Sequence, residues 1–254
     1  MCLYCFRLHF ITILREPVQR FLSEWKFVQH GATWYNTNNL CNGRWATREE
    51  IPYCYTGRDW KGVTLDEFLD CDDNLARNRQ TRMLADLRLV GCHNKTAMDP
   101  HLRDKIMLES AKRNLLKMAY FGITDFQSLS QKLFEYTFNK AFKTEFYQSN
   151  STIASTTNLT KQQLDRIVYH TRLDIELYHY AKELFFHRVN LLQKRTGLAD
   201  AKWVCSILVQ VGETEGIKRK EIPGPNFIIK DLPSVLILII ADQFLNDLLC
   251  CSNR

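Results

Sequence analysis

The chain has 254 residues, enough for one sizeable domain, and its 45% hydrophobic and 12% aromatic content supplies a core and excludes wholesale disorder. The net charge of +6 is uneven: residues 196–254 hold six Lys/Arg against seven Asp/Glu, leaving 28 basic against 21 acidic side chains in the first 195. A basic body favours anionic partners, and the absence of a GxxxxGK[ST] loop excludes a nucleotide kinase of the P-loop type.

In chain order, Arg7–Leu14 (RLHFITIL) alternates and then runs apolar, the pattern of a buried parallel strand. Pro17 suits the first turn of a helix, expected over Val18–His30 with Phe21, Leu22, Trp25 and Val28 on one face. A parallel strand needs neighbours, so the fold class is α/β, and strands before β-type segment 7–14 are expected to be missing. Residues 31–63 read as a long ordered loop rich in Gly, Asn, Thr and aromatics. Thr64-Leu65-Asp66-Glu67 is a capping box for a short helix through Leu69.

Further helices are expected over Asn78–Leu87, from Asp99-Pro100, over Asp125–Phe138, after Thr160 with Gln163, and over Arg172–Lys194. The helix from Pro100 has Leu102, Ile106, Leu108, Ala111, Leu115 and Met118 as its inward stripe, and Ala119–Ile123 follows as a strand. After Arg195 the helical period is lost, so the body is taken as 1–195 and the tail, 196–254, as a different piece of sequence, poorly ordered.

Cys41, Cys54, Cys71 and Cys92 lie in loop-rich sequence without CxxC spacing or paired histidines, which favours disulfides over zinc. The pairs expected are Cys41–Cys54, closing a short ring, and then Cys71–Cys92. Sequons at Asn94, Asn150 and Asn158 agree with an oxidising lumen and mark candidate glycosylation sites. Met1–Phe10 is too short for a signal peptide, and Val235–Ala241 is too short to span a membrane, so the true beginning is expected to be missing.

The informative spacing is Arg15-x-Pro17-x-x-Arg20-x-x-Ser23-x-Trp25. Arg15 leaves the strand end, where open α/β sheets bind ligands, and its guanidinium can fork onto a phosphate. Ser23, two turns into the helix, can donate to the same group. The competing reading makes Arg15 and Arg20 surface cations and Ser23 a helix filler.

LREPVQRFLSEW, GATW, CYTGRDW, TLDEFLDC, NLARNRQTRMLADLRLVGC, YFGITDFQ and LDIELYHYAKELF together resemble the heparan sulfate 6-O-sulfotransferase family, from about His9 to about Arg195. The resemblance implies a P-loop-like sulfotransferase fold, here incomplete and mostly helical with a remnant parallel sheet. It implies transfer of a sulfuryl group from 3′-phosphoadenosine 5′-phosphosulfate (PAPS) to the 6-hydroxyl of glucosamine in heparan sulfate. The partner implied is that polysaccharide, with no nucleic acid, in the Golgi lumen, and with the membrane met only through an anchor absent from these residues.

By the same resemblance, Arg15 and Ser23 hold the 3′-phosphate, and Tyr147, Gln148, Ser149, Ile153 and Ala154 belong to a segment that closes over the nucleotide. Phe27 and Trp34 stand at positions that meet the sugar chain. Phe27 replaces a family histidine and Ile153 a family arginine, which predicts anion binding weaker by about 1–3 kcal/mol for a lost charge-assisted contact. No glycine precedes Gly31, so neither the 5′-phosphosulfate loop nor a catalytic base is expected, and no catalytic residue is assigned. His9 reads as structural. The alternative function is a non-catalytic isoform that binds heparan sulfate or nucleotide.

Overall fold

The computed structural model describes residues 9–34, 40–146 and 157–196. Strand β1 (Ile11–Leu14) pairs in parallel with β4 (Tyr120–Ile123), in the register Ile11↔Tyr120 to Leu14↔Ile123. The α/β expectation is borne out in this form: mostly helix, with one small parallel sheet among the described residues. His9 stands just before β1, and its ring meets Phe138 edge-on at 5.3 Å, in keeping with a structural role.

Helix α1 (Pro17–Gln29) starts because Pro17 fixes its own φ and Glu16 caps the first turn, accepting from Val18 N at 3.1 Å and Gln19 N at 2.7 Å. The stretch 31–63 is not loop throughout. It contains a short antiparallel hairpin, β2 (Leu40–Cys41) and β3 (Arg44–Trp45), turned by Asn42 at φ 52° and Gly43 at φ 76°. Asn-Gly at paired positive φ is the hairpin turn that matches strand twist, but two-residue strands carry no alternation to read.

Helix α2 (Leu65–Asp70) has the expected capping box, in which Glu67 N donates to Thr64 Oγ1 and the Glu67 carboxylate accepts from Thr64 N. Helix α3 (Arg79–Leu84) is shorter than the sequence suggests. Ala85 turns extended, and Asp86 caps a 3-10 turn over Leu87–Val90 by accepting from Arg88 N.

Helix α4 (Pro100–Lys117) is capped by Asp99. Its buried side is Met107, Leu108, Ser110, Ala111 and Leu115, whereas Leu102 is 50% exposed, and it is the next residue, Arg103, that the first turn of α4 directs to its neighbours, the Val90 and Cys92 carbonyls. Helix α5 (Gln127–Phe138) follows a 3-10 turn at Thr124–Phe126. It lies close on β4, where a Cβ added at Gly122 stands 2.5 Å from Tyr120 Oη and 3.2 Å from Ser130 Oγ. Helices α6 (Lys161–His170) and α7 (Arg172–Thr196) complete the order, α6 with a second capping box from Thr160 and Gln163.

Two large apolar clusters result, beside a small one of Val90, Met107 and Leu173. One joins β1, β4, α4, α5 and α7 around Leu14, Leu115, Phe121, Ile123, Leu177 and Phe185. The other joins α1, α2 and α6 around Phe21, Leu22, Trp25, Phe68 and Ile167. Full burial of each large side chain contributes about 1.5–3 kcal/mol.

The four loop cysteines are all bonded, but not in the expected pairs: Cys41 joins Cys92, and Cys54 joins Cys71. Nearness in sequence misleads here. The hairpin carries Cys41 to the turn at Gly91–Cys92, a turn that Arg103 holds by donating to Val90 O and Cys92 O at 2.8 Å each. A run of stacked rings, Tyr53–Tyr55–Trp60–Phe68, lays the other limb over α2 and brings Cys54 to Cys71 at its end. The loops closed span 17 and 51 residues, for which chain entropy gives about 3 and 4 kcal/mol. Digestion of unreduced protein with mass spectrometry should yield 54–71 and 41–92 linked peptides; a 41–54 linked peptide contradicts the arrangement.

Candidate functional site

The β1–α1 junction sits at the carboxyl end of a parallel strand, and side chains saturate its backbone. Arg15 follows β1 directly and is half-buried. Beyond Leu14 the sheet stops, because β4 turns away after Ile123. The carboxamide of Gln80, in α3 and 1% exposed, replaces the missing strand: Arg15 N donates to Gln80 Oε1 at 2.9 Å, and Gln80 Nε2 donates to Arg15 O at 3.0 Å. The α1 amides of Val18 and Gln19 are already taken by Glu16.

Behind this junction lies a buried ionic network. Asp174 of α7 is fully buried and accepts from Thr81 N at 2.7 Å, Thr81 Oγ1 at 2.8 Å and Gln80 N at 3.2 Å. Arg20 Nε stands 3.8 Å from Asp174 Oδ2, an ion pair beyond hydrogen-bond reach. The same guanidinium donates to Ala76 O at 2.6 Å and to the Glu24 carboxylate. Glu24 also takes Arg79 at 3.2 Å and the Trp34 indole N–H at 2.9 Å.

Burial alone pushes the Glu24 carboxyl up, but the charges of Arg79 and Arg20, with the hydrogen bonds from Trp34 and Arg20, hold it below the usual carboxylate range. Burial, then the charge of Arg79, brings Arg82 down to about 10. It remains a cation at neutral pH, so three guanidiniums face two carboxylates in this network.

A model of the sulfotransferase family matches residues 5–181. The chain belongs to the sulfotransferase family. Heparan-sulfate 6-O-sulfotransferase 2 of Gallus gallus is 52% identical to it over 187 residues, 74% of this chain and 46% of that protein. The Homo sapiens protein of the same name is 52% identical over 187 residues, covering 74% of this chain and 31% of that one. Heparan-sulfate 6-O-sulfotransferase 1 of Homo sapiens is 52% identical over 182 residues, with 72% of this chain and 44% of that protein covered. The resemblance read from the sequence is thereby borne out, over a chain that spans less than half the length of these curated relatives.

Within this sulfotransferase family chain the β1–α1 unit brings Arg15, Ser23 and Phe27 onto one strand–helix unit. Ser23 is half-buried, and Phe27, one turn on, is 48% exposed. Trp34 joins them from the following loop, half-buried, its ring 6.0 Å from that of Phe68. Arg20 is no surface cation: at 4% exposure it belongs to the buried network. Asn94 and Asn158 lie elsewhere, exposed, in the turn after the 3-10 segment and just before α6. Tyr147, Gln148, Ser149, Asn150, Ile153 and Ala154 lie outside the described residues, as does the tail after Thr196.

Gln80, Asp174 and Glu24 were not singled out by sequence reasoning. The available signal is a charge on the wrong face: Asp174 interrupts the apolar side of LDIEL at a position where an inward residue is due.

A second concavity, an open groove between α2 and α6, is lined by Asp70, Asp72, Arg77, Lys161, Arg166 and His170 among others. Its charges are internally matched, Arg77 with Asp72 and Arg166 with Asp66 and Asp70. Burial pushes the His170 imidazole down to about 4, reinforced by Arg77 and Arg166, while the Leu69 carbonyl and Asp72 oppose the shift. The folded value thus lies below the unfolded value of about 6.5, so acidification through that point protonates the unfolded chain first and stability falls. Between pH 7 and 5, urea unfolding of the wild type should lose about 2 kcal/mol more than that of His170→Gln. Parallel losses in the two proteins contradict the assignment.

Proposed function

We propose that this chain supplies the 3′-phosphate anchor and part of the acceptor surface for transfer of the sulfuryl group of PAPS to the 6-hydroxyl of glucosamine residues in heparan sulfate. What carries the reading is the β1–α1 unit, a half-buried arginine directly after a parallel strand with a serine two turns into the helix, in a chain 52% identical to heparan-sulfate 6-O-sulfotransferases. PAPS supplies the sulfuryl group when bound.

The residues present fit its 3′-phosphate. Because Glu16 occupies the first amides of α1, side chains carry the anion: the Arg15 fork and the Ser23 hydroxyl. The surplus of guanidinium over carboxylate in the network behind adds a favourable potential. The Trp34 N–H is committed to Glu24, so its role toward a sugar is contact by the ring face. Phe27 offers apolar contact and neither charge nor hydrogen bond. Tyr147, Gln148, Ser149, Ile153 and Ala154 are assigned to close over the nucleotide. The 5′-phosphosulfate loop and the acceptor base are assigned to no residue of this chain.

Two disulfides and the exposed sequons at Asn94 and Asn158, with Asn150, support an oxidising lumen, which in this reading is the Golgi, and glycosylation at all three. No helix among the described residues is long and apolar enough to cross a membrane, and the anchor of this reading is assigned to none of them. The sulfotransferase part is taken as 1–195, with 196–254 as a separate tail.

Adenosine 3′,5′-bisphosphate titrated into the 254-residue chain should bind, and Arg15→Ala and Ser23→Ala should each weaken it by about 5- to 100-fold. Binding unchanged in Arg15→Ala removes the 3′-phosphate assignment. Labelled sulfate transferred from PAPS to 6-O-desulfated heparin separates the enzyme from a module that only binds.

A further inference from the structure

We infer that Gln80 is a positioning residue for the 3′-phosphate anchor, setting the backbone from which the Arg15 guanidinium reaches the anion; the inference rests on the role proposed for Arg15.

Residue 15 lies at a point of conflict. Its predecessor, Leu14, is the last residue of β1 paired to β4, and its successor, Glu16, is the cap of α1. Its own N–H and C=O thus fall between the end of a strand pairing and the start of a helix, and a bond left unmade at either in a half-buried site costs about 1–3 kcal/mol. Gln80 answers both at once, accepting at 2.9 Å and donating at 3.0 Å, in the two-bond pattern of a neighbouring strand. A primary amide of this length presents a donor and an acceptor side by side without carrying charge.

The clamp is itself fixed. Gln80 N donates to Asp174 Oδ2 at 3.2 Å, and the next residue, Thr81, donates to Asp174 Oδ1 through both N and Oγ1. Two residues before Gln80, Asn78 adopts φ 44°, donates its N–H to His170 O at 3.0 Å, and accepts from Leu173 N through Oδ1 at 3.0 Å. The backbone of residues 78–81 is thus held to the α6–α7 corner, and the Gln80 carboxamide carries that position to Arg15. A side chain serving only to fill the core needs no amide here, since at 1% exposure an apolar residue of similar volume fills the same space. The amide is retained for the atoms it holds, and those atoms belong to the residue that meets the phosphate.

A double-mutant cycle on the 254-residue chain tests this, with adenosine 3′,5′-bisphosphate as the probe and circular dichroism to confirm folding. Gln80→Leu in the wild-type background should weaken binding by about ten-fold, and in the Arg15→Ala background should add nothing, because the group it positions is gone. Gln80→Met keeps the volume but has neither the amide donor nor its acceptor, and should show the same background dependence. Equal weakening in both backgrounds, or no weakening by either variant, overturns the inference while leaving Arg15 as the anchor. If Arg15→Ala alone leaves binding unchanged, both the anchor and its positioning residue fall.

Discussion

The Asp174 carboxylate is the constraint on which the candidate site depends. It is fully buried, and it reaches residues 93 and 94 positions earlier in the chain, so its hydrogen bonds are tertiary contacts and not products of local folding. A carboxylate withdrawn from water is costly unless its lone pairs are filled, and here Gln80 N, Thr81 N and Thr81 Oγ1 fill them, with Arg20 alongside. The arrangement is specific as well as stable. An apolar replacement of the whole set can pack, but it cannot dictate which turn of α3 faces β1.

From Asp174 two lines of contact run to the residues proposed to meet ligands. One passes through Gln80 to the backbone of Arg15. The other passes through Arg20 to Glu24, and from Glu24 to the Trp34 indole. The two larger apolar clusters lie one around the β1–β4 pair and one around α1, α2 and α6. The same economy appears at the neighbouring strand end. There the Ser130 hydroxyl accepts from Ile123 N at 3.0 Å and donates to Ile123 O at 3.1 Å. Both strands of the small sheet are completed at their carboxyl ends by polar side chains, which leaves the strand tips defined where a βα junction has to hold its geometry.

Where the signal is local, the sequence yields the element. Thr64/Glu67 and Thr160/Gln163 mark helix starts because a capping box is a four-residue device, and Asp99-Pro100 does the same through a cap and a fixed φ. Phe21, Leu22, Trp25 and Val28 follow the helical period and are buried. The misreadings share a cause: tertiary geometry decides them. Cys41 meets Cys92 because a hairpin too short to show alternation turns it there. Leu102 keeps the period of α4 yet remains exposed, because the first turn meets the Gly91–Cys92 turn through Arg103 instead. Arg20 reads as a surface cation until Asp174, 154 residues later by sequence number, is brought beside it. Arg15 and Ser23 are proposed from a spacing that the family resemblance marks, whereas Gln80 has no motif of its own and its proposed role rests on two hydrogen bonds.

The central claim is that Asp174 holds α3 and the β1–α1 junction as one unit. Hydrogen–deuterium exchange and urea unfolding of Asp174→Ala test it together. The variant takes one of the two carboxylates from beside the buried Arg20 and leaves the amides of Gln80 and Thr81 without their acceptor, so stability should fall by about 3–5 kcal/mol. Protection should be lost jointly in residues 14–25 and 78–84. A variant of wild-type stability, or one that loses protection in α7 while the β1–α1 junction keeps its own, contradicts the account.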